Sequence, residues 1–302
     1  MVVRAGDRTD EFEALRPRLQ AVAYRLTGSV ADAEDIVQDA WLRLYSTTAE
    51  IEDLAAWLTT VVSRLGLDRL RSAVYRRETY VGEWLPEPVV TGLDGDDPLA
   101  ALVASEDARF AAMVVLDRLA PDQRVAFVLH DGFSVPFKQI ADILGISDAA
   151  ARQLASRARR MVTATPEPVA DAEHNEVVGK LLEALMSGSV EAVVRLLHPD
   201  VTMTGDSDGK APTAVRVIHG PDKVARFLLG LMERYGPQMT QAINLALVNG
   251  QFGMYLTETD TDPNFRPVLP RVSAFTVRDG RVLAVWDVSN PDKFSGTPLR
   301  EA

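Results

Sequence analysis

Cysteine is absent from the 302 residues, which excludes disulfides, thiolate zinc sites, iron–sulfur ligation and thiol chemistry. Histidine is scarce, with four in the chain. Scattered as they are, they make no ligand cluster, so neither a metal nor another cofactor is expected. Long apolar runs are missing: none approaches the roughly 20 residues that span a bilayer, so no membrane partner is expected. Residues 1–10 are polar and lack an apolar signal core, which argues against export and for the cytoplasm. Positive charge is in deficit. Against 43 Asp and Glu stand 32 Lys and Arg, a net charge of −11, which in bulk argues against nucleic acid. A hydrophobic content of 47% with 25% charged residues is ordinary for a globular protein, and the length predicts two or three domains.

Locally the charge is segregated. Arg64, Arg69, Arg71, Arg76 and Arg77 face a single acid, Asp68, and Arg152, Arg157, Arg159 and Arg160 face none. Asp32, Glu34, Asp35 and Asp39 form an acidic cluster. Such a chain can bind DNA with one face and a basic protein with another; the plainer reading of any single run is a solvated helix face.

Helical spacing runs through Phe12, Leu15, Leu19, Val22 and Leu26. Gly28 and Ser29 break it, and Asp32 is placed to cap a second helix with Ile36, Val37, Ala40, Trp41 and Leu44 on one side. Leu54, Trp57, Leu58, Val61 and Leu65 predict a third helix. The stretch 82–98, with Pro86, Pro88 and Pro98, three glycines and five acids, reads as an extended linker. Trp84 and Leu85 predict that it docks on something. Helices return from about Leu99. Within 137–160, Ile140, Ala141 and Leu144 face a core, Gly145 supplies a tight turn and Ser147 caps the next helix, a helix-turn-helix pattern. On that helix Ala151, Ala155, Ala158 and Val162 share one face, leaving Arg152, Gln153, Ser156, Arg157 and Arg160 free to reach DNA.

Past Pro166 and Pro168 the pattern becomes α+β. Helices are predicted at 175–186, 190–197 and from Gly220-Pro221-Asp222 through Tyr235. Strands are predicted at 201–204, 239–248, 251–257, 271–277 and 281–288, with Asn249-Gly250 and Asp279-Gly280 as hairpin turns. A largely antiparallel curved sheet with helices on one face follows.

The stretches YRLTGSVADAEDIVQDAWLRLY (24–45) and AWLTTVVSRLGLDRLRS (56–72) resemble region 2 of extracytoplasmic-function RNA polymerase sigma factors, and 116–160 resembles their region 4. Residues 172–294 look like a SnoaL-like domain of the nuclear-transport-factor superfamily. WLPEP (84–88) and NPDKF (290–294) resemble signatures of the sigma-factor subgroup that carries this domain. Its glycine-rich DGGGK motif corresponds here to Asp206-Ser207-Asp208-Gly209-Lys210, which matches at the ends and departs in the middle. The implied architecture is a multidomain chain with two all-α sigma domains and a C-terminal α+β cone. Its expected parts are region 2 at 8–77, a Pro- and acid-rich linker at 78–98, region 4 at 99–163, a second linker at 164–172, the SnoaL-like domain at 173–294 and a tail at 295–302.

The resemblance implies an alternative sigma factor that binds core RNA polymerase and directs recognition of promoter −10 and −35 DNA, a monomer when free. Asp32, Glu34, Asp35 and Asp39 match the polymerase-docking segment, and Trp84 and Leu85 of the linker are added to that surface. Arg64, Arg69, Arg71, Arg76 and Arg77 match the −10 segment, where melted DNA needs its phosphates neutralised. Ser147, Arg152, Gln153, Ser156, Arg157 and Arg160 match the −35 reader. The C-terminal domain is expected to regulate in cis through Asp206, Asp208, Lys210, Asn290, Pro291, Asp292, Lys293 and Phe294, with Lys210 and Lys293 pairing with acids of the linker or of region 2. His198, His219, Tyr255, Trp286 and Asp287 are pocket candidates by residue type. None pairs at a catalytic spacing, so no enzyme activity is expected, although a small-molecule ligand in this domain is possible. The competing reading is a stand-alone helix-turn-helix regulator with a ligand-sensing SnoaL-like domain.

Overall fold

A computed structural model describes residues 5–77, 80–93, 98–103, 108–163 and 169–301. The side chains of Arg76 and Arg77 lie outside the described residues, as do the linker acids Asp94, Asp96 and Asp97. The chain divides into two compact units: Met1–Thr79 with Ala101–Ala108 and Ala112–Thr165, and Tyr80–Ala100 with Arg109–Ala111 and Pro166–Ala302.

The first unit is helical. It holds α1 (Ala5–Thr27), α2 (Val30–Ser46), α3 (Leu54–Arg77), most of α4 (Phe110–Asp117), α5 (Pro121–Phe127), α6 (Phe137–Leu144) and α7 (Asp148–Val162). Of the apolar stripe predicted on α1, Phe12, Leu19, Val22 and Leu26 are at most 1% exposed and Leu15 is half-buried, and Ile36, Val37, Leu58 and Val62 of α2 and α3 are buried as well. The cap of α2 is Ser29 rather than Asp32. The Ser29 hydroxyl accepts from the Asp32 amide at 3.0 Å, so Asp32 stands inside the first turn, where its charge favours the positive helix end. Gly145 ends α6 at φ +69°, a left-handed conformation that glycine adopts without a Cβ penalty. Ser147 caps α7 by accepting from the Ala150 amide at 3.3 Å. The predicted helix-turn-helix is thus present, with Ala151, Ala155 and Ala158 fully buried.

The second unit carries one seven-stranded sheet in the order β1-β4-β5-β6-β7-β2-β3. Its strands are β1 (Val90–Thr91), β2 (Leu197–Asp206), β3 (Ile218–His219), β4 (Ile243–Val248), β5 (Gln251–Leu256), β6 (Arg271–Arg278) and β7 (Arg281–Val288). The β2–β7 pair is parallel and the others are antiparallel. Helices α8 (Asp171–Ser187), α9 (Val190–Leu196) and α10 (Pro221–Tyr235) pack with it around a core that includes Val178, Leu181, Val201, Val224, Phe275 and Val282. Asn249-Gly250 and Asp279-Gly280 make the predicted hairpin turns, all four at positive φ. Two readings change. Residues 239–242 belong to a short helix, α11 (Pro237–Ala242), rather than a strand, because Pro237 suits a first helical turn. The predicted short strand at 201–204 is ten residues long.

Candidate polymerase, promoter and linker sites

In the first unit the acidic and basic runs meet. Arg69 on α3 lies 3.2 Å from Asp32 and 3.2 Å from Asp35 on α2, while Glu34 and Asp39 are exposed on the same helix. Arg64 donates to the Asp142 carbonyl at 3.1 Å, and Arg71 pairs with Asp122 at 3.2 Å. Gln139 of α6 donates to the Ala56 carbonyl at 2.8 Å and to the Thr60 hydroxyl at 3.0 Å. The structure therefore engages three of the five expected −10 arginines with protein groups. Exposed pairs of this kind are weak and exchangeable.

On α7, Arg152, Gln153, Arg157 and Arg160 are exposed and Ser156 is partly so. Arg152 stacks over the Phe137 ring, its guanidinium carbon 4.7 Å from the centroid, which orients the guanidinium plane. Arg160 lies 3.4 Å from the Ser156 hydroxyl. Arg159 differs, paired with Asp131 at 2.6 Å.

Sequence reasoning missed Arg124. It is 1% exposed, donates to the Arg25 carbonyl at 2.9 Å and pairs with Asp117 at 3.1 Å. No spacing marks a buried arginine whose acceptor is a carbonyl 99 positions away.

In the second unit the linker is anchored at both ends of its signature. Leu85 through Thr91 are buried. Asp206, fully buried at the end of β2, accepts from the Leu85 amide at 2.6 Å, from the Tyr80 hydroxyl, and from Lys293 Nζ at 2.6 Å. Lys293 Nζ also donates to the Leu85 carbonyl at 2.5 Å and stands 3.4 Å from the centroid of Trp84. Asn290 donates to the Tyr80 hydroxyl at 2.9 Å. Burial and the neighbouring Asp206 carboxylate push the Tyr80 phenol well above its ordinary range, so it stays protonated as the donor.

Downstream, Val90 and Thr91 pair with Val248 and Leu247 as an edge strand. The Val90 amide donates to the Gly296 carbonyl at 2.8 Å, and the Asn249 side chain accepts from the Val89 amide at 3.0 Å. Lys293 pairs with Asp206 at the end of β2, and Lys210 pairs with Asp292 and, at 3.1 Å, with Asp208; these three are acids of the C-terminal domain. The linker contributes the Leu85 backbone, the Tyr80 hydroxyl and the Trp84 ring, and Asp208 accepts from the Val81 amide at 3.1 Å. That hydrogen bond and Lys210 hold the Asp208 carboxyl below its ordinary range. The departure from a glycine-rich loop thus supplies a carboxylate that holds the linker. Pro291 and Asp292 form the short turn after Asn290, and Phe294 is buried behind it.

Among the pocket candidates, Asp287 alone lines the cavity of this unit, which measures about 380 Å³. His198 is held by Arg278 at 3.0 Å and by the Asp200 amide at 3.0 Å, and Trp286 donates to Thr276 at 3.0 Å. His219 is exposed and Tyr255 is half-buried. Among the described residues no group of acids and histidines could hold a metal ion, and no helix is long and apolar enough to cross a membrane.

These arrangements are those of a bacterial transcription initiation factor with an appended α+β domain. The family models agree: Sigma-70 region 2 matches residues 12–75, Sigma-70 region 4 matches 109–162, and the SnoaL-like domain matches 178–285. The chain belongs to the extracytoplasmic-function RNA polymerase sigma factors, which bind core polymerase and promoter DNA. It is 66% identical to ECF RNA polymerase sigma factor SigJ of Mycobacterium tuberculosis over 96% of this chain and 94% of that one. The probable ECF sigma factor SigI of the same species is 35% identical over 72% and 74% of the two chains. The crystal structure of M. tuberculosis SigJ superposes with a TM-score of 0.85, covering 96% of this chain and 99% of that chain at 64% identity.

Proposed function

We propose that the C-terminal unit of this sigma factor restrains it in cis by sequestering the interdomain linker. The carrying observation is Asp206: one buried carboxylate accepts from the Leu85 amide, the Tyr80 hydroxyl and Lys293. A segment with every residue from Leu85 to Thr91 buried cannot at the same time lie along another protein. Trp84 and Leu85 therefore reach polymerase only after release, which supports a switch in which holoenzyme formation and linker docking compete. Asp32, Glu34, Asp35 and Asp39 would meet the basic polymerase surface. Arg64, Arg69 and Arg71 would meet −10 phosphates, and Arg152 and Gln153 would read −35 base edges with Ser147, Ser156, Arg157 and Arg160 on phosphates. The factor would work in the cytoplasm without catalysing a reaction, and the cavity of its C-terminal unit supports a small-molecule ligand as the releasing signal.

The test is promoter-directed transcription by purified core polymerase with the wild type and with Asp206→Leu/Lys293→Met. That pair replaces two opposite charges by apolar groups of similar volume, which buried sites tolerate. More transcription from the double variant supports sequestration; equal transcription with a linker equally resistant to proteolysis refutes it.

A further inference from the structure

Between α5 and α6 the backbone leaves ordinary helical geometry twice. Val128–Gly132 form a π-helical turn. Ser134 stands at φ +56°, a left-handed conformation with a steric cost for a residue that has a Cβ. Both features are uncommon and gather at functional sites. The segment is well tied: the Ser134 amide donates to the His130 carbonyl at 3.0 Å and the Val135 amide to the Leu129 carbonyl at 2.9 Å. This backbone delivers His130. Its Nδ1 donates to the Val135 carbonyl at 3.1 Å, and its ring stacks on the ring of Phe137, centroids 3.8 Å apart and planes at 30°. Phe137 opens α6 directly after Pro136, whose pyrrolidine ring fixes φ there. The phenyl ring is therefore held both by a stacked neighbour and through its backbone.

The same connection meets two arginines of α7 in two different ways. Arg159 pairs with Asp131 of the π-helical turn at 2.6 Å and donates to it from Nε at 2.8 Å, so a carboxylate occupies its donors. Arg152 stands over the Phe137 ring instead, its guanidinium carbon 4.7 Å from the centroid. Among the described residues no hydrogen bond or ion pair engages the Arg152 guanidinium. A ring face attracts a cation through its quadrupole and takes none of the five N–H donors. All of them remain available to a base edge or a phosphate. An arginine side chain that is free in solution carries a large rotamer entropy, which binding must overcome. The stack meets part of that cost before DNA arrives. Core packing does not account for the ring, since Phe137 is only half-buried while Ile140, Ala141 and Ile143 of the same helix are buried.

We infer that Phe137 is a positioning residue for −35 recognition: its ring holds the Arg152 guanidinium in place for a DNA contact and leaves every donor free. That role rests on Arg152 contacting DNA, as proposed above, and it brings an uncharged residue of the preceding helix into the recognition machinery. The contrast with Arg159 separates two uses of arginine on one helix. A carboxylate partner ties Arg159 to the protein, whereas an aromatic partner orders Arg152 without spending its hydrogen-bonding capacity.

The test measures the affinity of holoenzyme for promoter DNA across single-base −35 variants, with full-length wild type, Phe137→Leu, Phe137→Tyr, Arg152→Ala and the double variant Phe137→Leu/Arg152→Ala. Phe137→Leu keeps an apolar side chain but lacks the ring, and it is expected to weaken binding about two- to fivefold, the worth of one exposed cation–π contact. Phe137→Tyr keeps the ring face and is expected to bind as the wild type does. In the Arg152→Ala background Phe137→Leu is expected to cost nothing further, because the group it positions is gone. A general loss of folding would cost the same in both backgrounds. Additive losses therefore overturn the inference, as does unchanged binding by Phe137→Leu or a Tyr variant as weak as the Leu variant. The coupling is read whatever Arg152 touches. If Arg152→Ala weakens all promoters alike while the losses fail to add, base reading by Arg152 falls and positioning stands. If Arg152→Ala is base-specific and the losses add, positioning falls and base reading stands.

Discussion

Lys293 Nζ lies 2.6 Å from the Asp206 carboxylate, with side-chain exposures of 4% and 0%. The two residues bracket most of the C-terminal unit in sequence, yet together they fix a backbone segment that precedes both. Removing one partner leaves a buried charge uncompensated, whereas removing both does not. Asp206→Asn alone should therefore destabilise the C-terminal unit by about 3–5 kcal/mol, and Asp206→Leu/Lys293→Met should recover only part of that loss, because the Leu85 amide and the Tyr80 hydroxyl still lack their acceptor. Chemical denaturation followed by Trp84 fluorescence measures both. A double variant as unstable as the single one contradicts the clasp.

The acidic helix α2 should show the opposite balance. Its pairs with Arg69 are partly exposed, so Arg69→Ala should cost about 0.2–1 kcal/mol in stability. Charge reversal at Asp35 and Asp39 should leave the fold intact and abolish holoenzyme assembly, measured by gel filtration with core polymerase. Assembly that persists at the wild-type affinity removes these acids from the docking surface.

On α7, Arg152→Ala should cost about 1–3 kcal/mol on promoters carrying its cognate base pair and little on promoters that lack it. Arg157→Ala should weaken all promoters alike and lower the salt slope by about one unit. Footprinting of holoenzyme across a set of single-base −35 variants separates the two. A uniform loss for Arg152→Ala would move it to the phosphate group.

Acid should loosen the C-terminal unit through His174. It is 1% exposed with Nε2 3.2 Å from the Phe275 carbonyl, and burial holds its pKa below the ordinary 6.5. The unfolded chain then binds the proton more readily than the folded one, so the contribution is complete above pH 6.5 and falls away as the pH drops through the lowered folded value. Thermal melts from pH 7.5 to 5 should show the midpoint falling below pH 6.5, and His174→Gln should flatten that fall. An unchanged slope in the variant assigns the effect elsewhere.

What the sequence disclosed follows the range of the interactions. Gly145 and Ser147 act within a few residues, so the helix-turn-helix was legible, as were the Asn249-Gly250 and Asp279-Gly280 turns. The acidic and arginine runs were visible separately; their meeting through Arg69 and Asp35 spans 34 positions and depends on how α2 and α3 pack. β1 was invisible because a two-residue strand has no period and exists only where the edge of β4 receives it. Lys293 stands out in the sequence as a contact residue, but its pairing with Asp206 spans 87 positions. Part of the clasp takes hold of the linker's backbone amide and carbonyl at Leu85, which no side-chain pattern displays.

Linker sequestration has a direct test that the absence of cysteine makes clean. Val90 and Val248 are register partners across β1 and β4, so Val90→Cys/Val248→Cys can form a single disulfide that locks the linker onto the C-terminal unit. Transcription by core polymerase is then measured with the oxidised protein before and after reduction. Sequestration predicts that the locked protein loses most of its promoter-directed transcription and regains it on reduction. Equal transcription in the two states would contradict it.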